Sequence, residues 1–153
     1  MNKFFTTLAA AAFCAALSAE IVKNPDPNTL WIEKGKNIKF AEKVIFTTSD
    51  KNNQPRSIWV IPSRVESNQI IISNIQMSKT FNNLQSNNKA FINVLIPEQD
   101  DLQYKIECVT EINTSGNLFN EIKNFEESEN LPPELKVNAI IICKIKNCEE
   151  SIG

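Results

Sequence analysis

Two cations and a set of hydroxyl and amide side chains between Pro55 and Asn87 hold the chemistry this sequence can do. Arg56 stands just past a turn, Ser73-Asn74 closes an apolar segment, and Met77-Ser78-Lys79 opens a short amphipathic stretch. A guanidinium offers a fixed fork of donors and an ammonium a mobile point charge. A helix start adds unpaired backbone N–H groups at the positive end of its dipole. Together these groups suit a phosphate dianion. Singly they are commonplace: Lys79 equally suits a solvated helix surface, and Arg56 a surface salt bridge. Order and spacing give the set its weight.

Other chemistries are excluded by what the chain lacks. It has no histidine, so it forms no Ser-His-Asp triad, no Cys-His dyad, no His-ligated zinc site and no His-bound haem. No two carboxylates are spaced for acid–base work, and the Glu126-Glu127-Ser128-Glu129 run reads as a solvated loop face. Asp50 and Arg64 read as turn residues. A formal net charge of −2 and a pI near 5.3, with scattered Lys and Arg, give no basic field for a nucleic-acid backbone. Nucleic acid is therefore not an expected partner.

The first nineteen residues form their own compositional block. Lys3 supplies a positive start, Phe4 to Leu17 is apolar and alanine-rich, and Leu17-Ser18-Ala19 precedes Glu20. This is the pattern of a Sec signal peptide cleaved after Ala19, too short for a comfortable membrane span. It predicts a periplasmic or secreted protein with no stable membrane span once the leader is removed. An alanine-rich helix packed on a cytoplasmic domain is the alternative. Phe13 before Cys14 is a poor lipoprotein processing site. Removing the leader leaves Cys108, Cys143 and Cys148, an odd number for an oxidising compartment. Cys108 and Cys143 fall on the apparent core faces of late strands and read as buried inert thiols. A Cys108–Cys143 or Cys143–Cys148 disulfide is the minority alternative. The spacing matches neither C-x-x-C redox chemistry nor a zinc ribbon.

The elements that must position the cations are mainly strands. With 153 residues and 42% apolar content, the chain suffices for one domain with one core. Asn24-Pro25-Asp26-Pro27-Asn28 reads as a turn or linker, because two prolines fix φ and remove donors. The expected organisation is a leader over 1–19, an extension over 20–37 and a folded domain over 38–153. Strand signals recur at Lys43–Thr48, Ser57–Ile61, Gln69–Ser73, Phe91–Ile96, Leu102–Ile112 and Val137–Ile145. In the fifth, Leu102, Tyr104, Ile106, Cys108, Thr110 and Ile112 share one face, the period of a half-buried strand. Met77, Phe81 and Leu84, and again Leu118, Ile122 and Phe125, mark two helices with one apolar stripe each, the second capped by Thr114 or Ser115. Short polar connections favour antiparallel neighbours. The expected fold is α+β: a six-stranded antiparallel split β-barrel with flanking helices.

This order of elements resembles the pyridoxamine 5′-phosphate oxidase-like FMN-binding split barrels. The matching segments run from about Ile38 to Cys148: Val44–Asp50 with Gln54-Pro55-Arg56, Gln69–Asn74 followed by Ser78-Lys79 and Asn82 to Asn87, Ala90–Leu95, and Thr110–Phe125. The resemblance implies a homodimer with FMN bound in two clefts between subunits. It implies that Ser78 and Lys79 hold the FMN phosphate and that Arg56 reaches the phosphate or the ribityl chain. Ser73 and Asn74 would complete that cradle, and Ser57, Ile58, Trp59 and Val60 would run along the flavin ring. Trp59, at an alternate strand position, reads more readily as core than as a stacking partner. The implied function is redox chemistry through bound flavin with an unnamed small-molecule donor or substrate, and no catalytic side chain is required. The alternatives are a non-enzymatic module binding haem or another small molecule, or a dimeric scaffold without flavin. Two departures bear on this. The chain ends Cys148-Glu149-Glu150-Ser151-Ile152-Gly153, without the Trp- and Arg-containing motif of vitamin B6 oxidases, and Glu107 stands where relatives keep a small residue.

Overall fold

Isoleucine recurs in this chain in two patterns, alternating and continuous, and the difference sets the architecture. The computed structural model describes residues 29–31, 37–39, 43–95 and 102–152. The leader and the Asn24 to Asn28 turn lie outside those residues. The elements in order are β1 (Thr29–Trp31), β2 (Asn37–Lys39), β3 (Val44–Ser49), β4 (Pro55–Val60), β5 (Arg64–Val65), β6 (Gln69–Asn74), α1 (Ser78–Ser86), β7 (Lys89–Leu95), β8 (Leu102–Asn113), α2 (Asn117–Phe125), a π turn (Glu126–Asn130) and β9 (Ala139–Ile152).

In β3 and β7 every second residue is buried, and Tyr104, Ile106, Cys108 and Thr110 do the same in β8. Those strands have one covered face. Ile70, Ile71 and Ile72 of β6 and Ala139 to Cys143 of β9 are all buried, the signature of strands covered on both sides. One set of side chains from β6 and β9 joins the main core with Phe46, Ile92 and Ile106. The other set, Ile71, Ile140 and Ile142, packs against Phe119 and Ile122 of α2 in a second cluster. Burying side chains of this size contributes about 1.5–3 kcal/mol each, so the layer of α2 on this half of the sheet is a substantial part of the fold. Leu30 and Ile38 of the β1–β2 hairpin also reach the main core.

Strands β1 and β2 pair with each other as a separate two-stranded sheet, and the other strands form one antiparallel sheet in the order β4-β3-β7-β8-β9-β6-β5, curled into a half-barrel. The fold class is therefore the expected split barrel with helices, but the sheet has seven strands rather than six. The addition is β5, whose Arg64 and Val65 pair with Ile71 and Ile70. Two residues span a single alternation, too little for a periodic signal. Strand β9 also runs past the expected Ile145 to Ile152, because a bulge lets it continue. Glu107 pairs with Asn147 and Cys108 with Ile145, leaving Lys146 as the extra residue.

Helix α2 departs from its expected cap. Gly116, not Thr114 or Ser115, occupies the N-cap position with φ 98°, and no side chain caps the helix. A Cβ there would meet no heavy atom within 4 Å, so the left-handed backbone alone favours glycine. The stripe shifts as well. Phe119 and Ile122 are buried, whereas Phe125, at the junction with the π turn, is 52% exposed.

No disulfide joins Cys108, Cys143 and Cys148, and the first two are buried. A hydrogen bond with Cys108, together with burial, pushes the Cys143 thiol well above its ordinary range. The Cys143 thiol therefore stays protonated within the core.

Candidate functional site

The site begins at the hairpin between β3 and β4. Asp50 accepts N–H bonds from Asn52 (2.8 Å) and Gln54 (2.9 Å) through Oδ1. The backbone N–H of Asn53 bonds to the Asp50 carbonyl at 3.0 Å. Asn53 turns the chain with φ 60°, a conformation asparagine tolerates. Asp50 is thus a turn residue, and the turn delivers Gln54, Pro55 and Arg56 to the start of an edge strand. Arg56 pairs with Thr48, and directly opposed residues share a face of the sheet. Its guanidinium therefore rises on the inner side, the side α1 covers.

Helix α1 buries Thr80 and Leu84 and packs on β3, with Met77 at its N-cap against the main core. Residues at i, i+3 and i+4 share a helix face, so Lys79, Asn82 and Asn83 form one row. Two side-chain bonds fasten this helix to β3: Asn83 Nδ2 donates to Thr48 Oγ1 at 3.2 Å, and Asn87 Nδ2 donates to Ser49 Oγ at 2.8 Å.

Between hairpin and helix lies an open cavity of about 340 Å³, lined by Asp50, Gln54, Pro55, Arg56, Lys79, Asn82 and Asn83. Among the described residues neither Arg56 nor Lys79 has an ion-pair partner, although the chain's other arginine, Arg64, has two. Two unneutralised cations and three amides around a small volume form a donor-rich surface that fits an anion of phosphate size. Asp50 lowers the positive charge of the wall, but its Oδ1 is already engaged by the turn.

The other residues singled out in the sequence do not line this cavity. Ser78 is the first residue of α1 and is exposed, with the cavity against the flank of the helix rather than its tip. Ser73 and Asn74 sit on β6 across from Ile140 and Ala139 of β9. Ser73 Oγ lies 2.7 Å from Ser63 Oγ, and Asn74 Nδ2 donates to Asn138 Oδ1 at 2.5 Å. Asn74 Oδ1 is buried with no partner among the described residues. Along β4, pairing places Ile58 and Val60 inward opposite Phe46 and Val44. Ser57 and Trp59 face outward opposite Thr47 and Ile45. Trp59 is 60% exposed, which corrects the core reading: among the described residues no layer covers the outer face at this edge. Asp50, Gln54, Pro55, Asn82 and Asn83 were missed as site residues. The i, i+3, i+4 row with Lys79 was the one signal that pointed to the two asparagines.

No protein-family model and no curated protein matches the chain. Solved structures do. It is similar to HupZ of Group A Streptococcus at 18% identity and TM-score 0.63, over 73% of this chain and 86% of that one. An FMN-binding protein from Syntrophomonas wolfei subsp. wolfei aligns at 18% identity and TM-score 0.57, over 72% and 77%. A Clostridium acetobutylicum protein of the pyridoxinephosphate oxidase family, related to general stress protein 26, aligns at 11% identity and TM-score 0.59, over 73% and 80%. The class is thus defined by fold: this chain is built as the split barrels among which FMN-binding and pyridoxamine phosphate oxidase-like proteins are found. The resemblance seen in the order of its elements holds in three dimensions.

Proposed function

We propose that this protein binds FMN as a homodimer and passes electrons or hydride through the flavin. The observation that carries the proposal is the meeting of Arg56 and Lys79, without ion-pair partners among the described residues, in one cavity of a fold that FMN-binding proteins also use. In this reading Arg56, Lys79 and the asparagine row take the terminal phosphate. Ser57 and Trp59, on the outer face of β4, lie along the ring, and Ser73, Asn74 and Ser78 supply further polar groups. Bound flavin would supply the redox chemistry, while the protein would fix its orientation and exclude water from one face. The second copy is favoured by the outer face of β4, β3 and β7, which no element among the described residues covers. Trp59 is 60% exposed, Ile61 64% and Leu95 38%, with Ile45 and Phe91 half-buried beside them, an apolar surface that a monomer would leave wet.

A fluorescence titration with FMN of the protein lacking residues 1–19 tests this. FMN is expected to bind, and the Arg56→Ala, Lys79→Ala double variant to bind it about a hundredfold more weakly, the loss of two charge-assisted contacts. Its melting temperature should stay unchanged, because neither side chain is part of the core. Unaltered affinity would remove the site assignment. Dimers that ignore FMN would point instead to a scaffold or to a binding module for haem or another small molecule.

A further inference from the structure

We infer that Asn83 is a positioning residue whose bond to Thr48 sets the distance between the two cations of the anion site. The inference rests on the flavin reading above and adds how the grip on the phosphate is held in register. Arg56 and Lys79 belong to separate elements, so their separation is not fixed by either one. Strand pairing fixes Arg56 against Thr48. Helical geometry fixes Lys79 against Asn83, four residues on and on the same face. The Asn83 Nδ2 to Thr48 Oγ1 bond, 3.2 Å long, is the link that closes this path.

The surroundings of that bond make it effective. Thr48 is 2% exposed, so water competes little for its hydroxyl, and a hydrogen bond shielded from solvent is stronger than one in water. Asn83 lines the cavity, whereas Thr48 does not. The hydroxyl can therefore be removed without touching the space a ligand would fill. A second bond, from Asn87 to Ser49, holds the last turn of α1 to the same strand. Without the Asn83 bond the helix would stay attached at that end and through Met77, Thr80 and Leu84 on its buried face, while the flank bearing Lys79 and Asn83 gained freedom to roll. A phosphate gripped by two cations then loses the advantage of a prearranged pair.

The experiment compares FMN with riboflavin, which has the same ring and ribityl chain but no phosphate, on wild-type protein, Thr48→Val and Thr48→Ser. Valine keeps the shape and removes the hydroxyl; serine keeps the hydroxyl. Thr48→Val is expected to lower FMN affinity about five- to tenfold, the size of one weakened charge-assisted hydrogen bond, with riboflavin affinity unchanged. Thr48→Ser is expected to restore FMN binding to near the wild-type value. If Thr48→Val binds FMN as wild type does, or loses FMN and riboflavin alike, the positioning role is overturned and the flavin reading survives. If wild-type protein binds neither flavin, the flavin reading falls and this inference falls with it.

Discussion

The two edges of the sheet are built from similar materials and end in opposite states. At the β5 edge, Arg64 donates to Glu121 of α2 at 2.5 Å and lies 3.9 Å from Glu66. Strands β6 and β9 beside it are covered on both faces. At the β4 edge, Arg56 faces a cavity with Lys79 and has no acidic partner among the described residues. The outer face there presents Trp59 to solvent. One arginine completes the protein's own structure; the other is left with its charge and donors available. Arginine's fork suits either task, so the residue type decides nothing and the neighbours decide all of it. Helix α2, laid over the outer face of one half of the sheet and carrying Glu121, makes the difference; among the described residues no helix lies on the outer face of the other half.

This contrast can be broken or sharpened by substitution. Phe46 belongs to β3, beside the cavity edge, but its ring is fully buried in the core that underlies both edges. Phe46→Ala should lower unfolding free energy by about 3–5 kcal/mol, measured by urea denaturation, and should lower FMN affinity as well. A large stability loss with intact binding would mean that the cavity edge does not depend on the shared core. Asp50→Asn is a finer cut, because asparagine can still accept the N–H bonds of Asn52 and Gln54 while the negative charge leaves the cavity wall. It should tighten FMN binding about three- to fivefold at low salt, an effect that fades as screening rises. Weaker binding would show that the charge, and not only the turn, serves the site. Arg64→Ala should have the smallest effect, about 0.5–1 kcal/mol of stability, since Glu121 is largely exposed. Calorimetry with a parallel FMN titration checks it, and a change in flavin affinity would erase the distinction between the two arginines.

Much of the scaffold was legible because strands announce themselves locally. The expected Lys43–Thr48 and Gln69–Ser73 fall within one residue of β3 and β6, and the face assigned to Tyr104, Ile106, Cys108 and Thr110 is the buried one. Alternation over six residues or more reflects which side meets water, and a strand carries that record in its own sequence. The two-residue β5 and the bulge at Lys146 carry no such record. Trp59 was misread because an aromatic residue on a strand is core only if something packs above it. That depends on where α2 lands, and α2 is distant in the chain. Asn82 and Asn83 appeared as an undifferentiated polar run, and their facing of Gln54 and Arg56 required knowing that α1 crosses over β3.

The sequence by itself determined the six longer strands and the two helices, which face of each half-buried strand is apolar, and that histidine chemistry is absent, and it raised Arg56 and Lys79 as candidates for holding a phosphate. Those properties are written in local periodicity and residue type. Only the tertiary structure decided which arginine is neutralised, that the cavity lies against the flank of α1 rather than its tip, and that Thr48 and Asn83 link the two sides. A site assembled from separate elements depends on distances between residues far apart in the chain, and the packing of those elements, with the bonds between them, sets those distances.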